Sequence, residues 1–171
     1  MQWGKKMQTD LLDAMQWVKE SGKSNTDKAC IVGASYGGYA ALVAGFQTPD
    51  MFKCIISIAG VSNMEAQINH WERFGSDGYV DNAVSKDPDE MAEVSPINHV
   101  ELFKAPVLLL HGQSDTRVSF YQSKVMYDAL KDADKDVEYE LFKFGTHHLN
   151  DAANRTKAMT MMETFLTKHL N

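Results

Sequence analysis

Lys28-Ala29-Cys30-Ile31-Val32-Gly33-Ala34-Ser35-Tyr36-Gly37-Gly38-Tyr39-Ala40 begins as a short apolar run, stops at glycine and continues into small residues. The first half has the composition of a buried strand, and the second, through about Phe46, that of a tightly packed helix. Between them, Gly33-Ala34-Ser35-Tyr36-Gly37 matches G-x-S-x-G directly after a strand and directly before a helix. A strand-to-helix turn this sharp forces its central residue into a strained backbone conformation. It also leaves little room for side chains on the flanks, a need that Gly33, Gly37 and Gly38 meet. Such a turn lifts the Ser35 hydroxyl above the sheet and aims the Tyr36 N–H toward a developing oxyanion. Ser35 is the candidate nucleophile.

Outward from this turn, strand and helix alternate. Before it, Met7, Leu11, Met15 and Val18 fall at helical spacing between about Lys5 and Glu20, predicting an amphipathic helix with a core face that ends near Ser21-Gly22. After it, Phe52–Ala59 and Pro106–His111 read as strands, Phe120–Leu130 as a helix and Val137–Phe144 as a last strand. A closing helix carries Ala158, Met159, Met162, Phe165 and Leu166 on one side. The alternation predicts an α/β fold with a mostly parallel sheet flanked by helices, in a single domain over 1–171. The stretch from about 62 to 104, with Trp71, Phe74 and Tyr79, fits neither period. It reads as an insertion above the sheet contributing to a substrate pocket, the alternative being a surface loop.

A serine hydroxyl is a poor nucleophile at neutral pH, so Ser35 needs a histidine base and an acid to orient that base. Asp115 follows the strand ending at His111, and His147 and His148 follow the last strand. All three positions lie at C-terminal strand edges, as Ser35 does, where open α/β sheets build their sites. The order Ser, Asp, His is that of the α/β-hydrolase fold.

The bulk properties narrow the function classes. The chain has 171 residues, 44% of them hydrophobic, enough for one ordinary core. The net charge of −6 comes with no basic stripe, which argues against a nucleic-acid partner. Apolar runs such as Ile55–Val61 fall far short of the about 20 residues that span a bilayer, so the chain is expected to be soluble, with no membrane partner. No secretory signal core follows Met1. The compartment stays open between cytoplasm and, were a longer parent to carry a signal peptide, periplasm or exterior. Cys30 and Cys54 sit in apolar runs and are expected to be small buried hydrophobes with inert thiols. The remaining histidines, His70, His99, His111 and His169, lack paired ligand spacing and read as structural or surface residues, so neither metal nor cofactor is expected. Asp132, Asp134 and Asp136 do not form a calcium loop, because Val137 stands where glycine is required and Lys143 where a bidentate glutamate belongs.

Gly33 to Ala40, Ser95-Pro96-Ile97, Ala105 to Gly112, Asp115 with Val118, and Gly145-Thr146-His147 together resemble the prolyl oligopeptidase family over nearly the whole chain. The resemblance implies a serine peptidase domain that cleaves short peptides through an acyl-enzyme, normally beneath an N-terminal β-propeller that this sequence does not contain. It implies His147 rather than His148 as the base, from the Gly-x-His pattern. It implies Tyr36 and Val61, and beside Asp115 the residues Arg117 and Val118, as pocket positions, with core packing the alternative for Tyr36 and Val61. Arg117 resembles the acylaminoacyl-peptidase and bacterial branches.

That fold ordinarily has several strands before the nucleophile strand, and only one helix precedes Lys28. The sheet is therefore expected to lack its N-terminal strands and the loop bearing the second oxyanion donor, in this family commonly a tyrosine hydroxyl. Loss of one such donor costs about 2.7–4 kcal/mol in the transition state. Weak catalysis, a carboxylesterase and an inert association unit of a larger peptidase are the alternatives carried forward. The apolar edge so exposed is expected to drive homo-oligomer formation.

Overall fold

The computed structural model describes residues 2–73 and 85–170; Phe74 and Tyr79 lie outside them. Helix α1 (Lys6–Ser21) ends on Gly22 in the left-handed conformation, and a short 3-10 turn leads to strand β1 (Cys30–Ala34). Helix α2 (Tyr36–Gln47), β2 (Cys54–Ile58), α3 (Met64–Arg73) and α4 (Pro88–Glu93) follow. A 3-10 segment (Pro96–Leu102), β3 (Val107–Gly112), α5 (Tyr121–Asp132), β4 (Val137–Phe142) and α6 (Ala152–Leu170) complete the described elements. The four strands form one sheet in the order β1-β2-β3-β4, every pair parallel, with Val32 beside Ile56, Ile56 beside Leu108 and Leu108 beside Glu138.

Alternation along the strands divides the core. Ile31, Ile55, Val107, Leu109 and Val137 pack toward α2, α5 and the 3-10 segment, whereas Cys54, Ile56, Leu108, Leu110 and Phe142 pack under α6 against Ala158 and Phe165. Helix α2 is buried from Gly38 through Phe46, as its small residues allow. Within 62–104, Asn63 caps α3 by accepting from Ala66 N–H, and Asp87 caps α4, where Pro88 occupies the first turn. Gln122 of α5 anchors the exit of β2 by accepting from the N–H groups of Ser62 and Asn63 at 2.9 and 2.8 Å.

Three sequence expectations need correction. The apolar stripe of α1 does not face a core: Met7 and Leu11 are exposed, and Gln8 is the buried residue, donating to Ala40 O. Helix α1 lies beside α2 and the 3-10 turn rather than over the sheet. Strand β1 is not fully buried either. As an edge strand it shows Val32 at 47% exposure, because α6 covers β2 and β3 on that face and stops short of β1. Met159 of α6 likewise points outward. The third correction concerns Cys30 and Cys54, which form a disulfide rather than two inert thiols. The parallel register places them directly opposite each other with a Cα separation of 4.7 Å, within reach of a bridge.

Candidate active site

Ser35 sits between β1 and α2 with φ 56° and ψ −119°, a conformation that costs a non-glycine residue about 1–3 kcal/mol and persists only where the surroundings impose it. They do so here. The Ser35 N–H donates to Ile58 O at 2.8 Å, and its carbonyl accepts from Tyr39 N–H at 3.1 Å, so both neighbours of the turn hold it. Gly33 is required because a Cβ there would lie 2.0 Å from the carbonyl oxygen of Gly37. Gly38 is similarly enclosed, its Cβ position 2.9 Å from Gly60 Cα. Gly37 differs from the expectation: a Cβ there meets nothing within 4 Å, so its own side-chain position is open and only its backbone crowds Gly33. Tyr36 begins α2, where the first amides have no acceptor within the helix.

The loops after β3 and β4 are stitched together by backbone bonds. Gln113 N–H donates to Phe142 O at 2.9 Å, and Ser114 N–H to Gly145 O at 2.8 Å. This fixes Asp115 relative to His147. The buried Asp115 carboxylate accepts at Oδ1 from the N–H groups of Arg117 and Val118, at 2.9 and 3.0 Å, and at Oδ2 from His147 Nδ1 at 2.6 Å. Burial works against its charged form. Hydrogen bonds from His111, His147 and the Val118 N–H, with the charge of His147, outweigh burial and hold the carboxyl well below the usual carboxylate range. An ionised Asp115 requires the proton on His147 Nδ1, which leaves Nε2 with a free lone pair. His148 is exposed and stands edge-on to His147, with ring centres 5.1 Å apart.

A cleft of about 400 Å³ opens beside these groups, lined by Ser35, Tyr36, Val61, Arg117, Val118 and His147, and also by Trp3, His70, Trp71 and Thr116. Val61 and Val118 are buried in its wall and Arg117 is exposed. Among the described residues, no group of three His, Cys, Asp or Glu side chains is placed to hold a metal ion.

A family model described as the prolyl oligopeptidase family matches residues 1–171. The chain belongs to that family. It is 31% identical to dipeptidyl aminopeptidase BIII of Pseudoxanthomonas mexicana over 99% of its own length and 26% of that protein. It is also 26% identical to the human acylamino-acid-releasing enzyme, covering 94% of this chain and 23% of that one. Among solved structures, a Mycobacterium tuberculosis puromycin-hydrolyzing peptidase superposes with a TM-score of 0.91 at 27% identity, over 99% of this chain and 26% of that one. The Pyrococcus horikoshii acylaminoacyl peptidase does so with a TM-score of 0.88 at 26% identity, over 98% and 28% of the two chains. The fold is the α/β-hydrolase fold, and the chain spans about a quarter of the length of these relatives.

Several cleft residues of this prolyl oligopeptidase family domain escaped sequence reasoning. Trp3 precedes the first helix, yet its ring packs edge-on to Tyr36 at 4.7 Å and to Trp71 at 6.0 Å. His70 reaches Thr116 O at 3.0 Å through Nε2. Neither has a sequence signature, because each meets the cleft only through long-range packing. His111 does carry a signal: four residues before Asp115, it reaches the same carboxylate from the end of β3.

Proposed function

We propose that this site hydrolyses peptide bonds of short peptides by serine catalysis, with Ser35 as nucleophile, His147 as general base and acid, and Asp115 orienting the imidazole. The observation that carries the reading is the 2.6 Å contact between Asp115 and His147 Nδ1 at a cleft that Ser35 also lines. In the first step, Ser35 Oγ attacks the scissile carbonyl as its proton passes to His147 Nε2, and the Tyr36 N–H donates to the oxyanion. His147 then returns the proton to the departing amine, leaving an acyl-enzyme. Water, deprotonated by the same imidazole, releases the acid and regenerates Ser35. Trp3, Tyr36, Trp71, Val61 and Val118 give the cleft an apolar wall suited to a substrate side chain, and the exposed Arg117 stands at its rim. Names of the relatives support peptides as the substrate class.

A fluorophosphonate probe tests the nucleophile. Labelling of the wild type and none of Ser35→Ala is expected; equal labelling of both removes Ser35 from the role. Aminoacyl anilides compared with short acyl esters rank peptidase against carboxylesterase: turnover of the anilides supports a peptidase, and turnover of the esters with none of the anilides favours the latter. A second reading, association of copies through the sheet edge, is supported by β1 lying at the edge with Val32 exposed.

A further inference from the structure

His111 is the one fully buried histidine among the described residues, and peptide hydrolysis as written above gives it no part. Its surroundings specify its protonation. Nε2 lies 3.0 Å from Val118 O and 3.3 Å from Asp115 Oδ2. A carbonyl oxygen and an ionised carboxylate oxygen only accept, so Nε2 must carry the proton and share it between them. Nδ1 lies 2.7 Å from the hydroxyl of Ser123, a buried residue on α5. In the neutral ring, Nδ1 accepts and the Ser123 hydroxyl donates. Val118 O and Asp115 therefore set the tautomer of this imidazole on β3, and the Ser123 hydroxyl on α5 holds the other ring nitrogen.

We infer that His111 is a positioning residue for the Asp115–His147 pair, acting as an Nε2–H donor fixed by Val118 O and Asp115, with Ser123 holding its ring at Nδ1. The inference rests on the catalytic reading above for its effect on rate, and on geometry alone for the tautomer. Arg117 and Val118 N–H donate to Oδ1 of Asp115 and His147 Nδ1 to Oδ2, while His111 Nε2, hydrogen-bonded to Val118 O, stands 3.3 Å from Oδ2 as a second, weaker contact. That arrangement fixes rotation of the carboxylate about its Cβ–Cγ bond and so the plane in which His147 is held. It also divides the accepting power of Oδ2 between two imidazoles, which weakens its pull on the His147 Nδ1 proton. Around this pair, among the described residues, the other titratable and charged groups are His148, edge-on to His147, Arg117 and His70 on the cleft wall, and Arg155 and Glu163 of α6, which line a second pocket with His147. His111 does not line the cleft, so its contribution falls on kcat rather than on substrate binding.

His111→Phe keeps a ring and removes the donor, whereas His111→Gln keeps an N–H that can reach the same two oxygens. Once the donor is gone, Oδ2 turns wholly to His147 and favours its protonated form. The acid limb of the rate of fluorophosphonate labelling against pH should then move up by about half to one pH unit in His111→Phe. The plateau rate should fall about tenfold, with little change in KM for an aminoacyl anilide. His111→Gln should restore most of both, and Ser123→Ala should show a smaller shift of the same sign. Ser123→Ala also carries the test if His111→Phe does not fold. Independently of turnover, the two-bond ¹H–¹⁵N spectrum of ¹⁵N-histidine-labelled wild type at pH 8, assigned by His111→Gln, should show His111 with its proton on Nε2. A proton on Nδ1, or acid limbs of wild type, His111→Phe and Ser123→Ala that superimpose, would overturn the inference. A wild type that fails to label sinks the catalytic reading instead, while the tautomer spectrum still decides the placement of His111.

Discussion

Gly33→Ala and Gly37→Ala make the same chemical change on the two sides of Ser35, and the structure assigns them opposite signs. At Gly33 the new methyl would sit 2.0 Å from Gly37 O and 2.2 Å from Gly37 C. Both are backbone atoms of the first turn of α2, so no flexible side chain can give way. Reaching even the 3.4 Å of ordinary contact requires the Gly37 oxygen to retreat by about 1.4 Å, carrying with it a helix buried from Gly38 to Phe46. Overpacking of this kind costs about 3 kcal/mol, at the upper end of its usual range. In a domain of this size that lowers Tm by about 6–12 °C. At Gly37 the added methyl meets nothing within 4 Å, and φ is not positive. Alanine there should gain about 0.5–1 kcal/mol from helix propensity and raise Tm by about 1–4 °C. Differential scanning calorimetry of the three proteins at one pH reads both effects. An unchanged Tm for Gly33→Ala, or a loss for Gly37→Ala equal to that of Gly33→Ala, would refute this account of the turn.

Asp115 makes stability depend on acid. Its folded-state carboxyl lies below the unfolded value of about 4, so the stability it contributes is present above that pH and lost as pH falls below it. Urea midpoints measured from pH 6 to pH 2.5 should fall less steeply for Asp115→Asn than for wild type; parallel curves would contradict the assignment. The Cys30–Cys54 bridge closes a loop across a separation of 24 residues, and its removal in Cys30→Ala/Cys54→Ala should cost about 3.5 kcal/mol by loop entropy. Thiol titration of the unreduced, denatured wild type should find no free thiol, and two would refute the pairing. Association through the β1 edge should appear as a concentration-dependent mass in size-exclusion chromatography with light scattering, suppressed in Val32→Lys. A monomer at all concentrations excludes it.

The strand–turn–helix around Ser35 was legible because its constraints are local. A glycine that must let backbone approach and a serine before a helix leave their mark within five consecutive residues. The alternation of strands and helices was legible for the same reason, through the periodicities of buried faces. Candidates for acid and base could be named because both follow strands and so reach the same sheet edge. Their pairing could not be read in this way, since it depends on the Gln113–Phe142 and Ser114–Gly145 bonds between loops about 30 residues apart.

What sequence alone determined, then, is the α/β alternation and the identity of the turn, both short-range consequences of residue type. Tertiary structure alone decided the rest. It paired Cys30 with Cys54 through the strand register and left the apolar stripe of α1 without a core to face. It also brought Trp3 and Trp71 to the cleft of Ser35 and set His111 against Asp115. Each of these is a contact between chain segments whose proximity is set by how the sheet and its helices pack, and no local pattern encodes that packing.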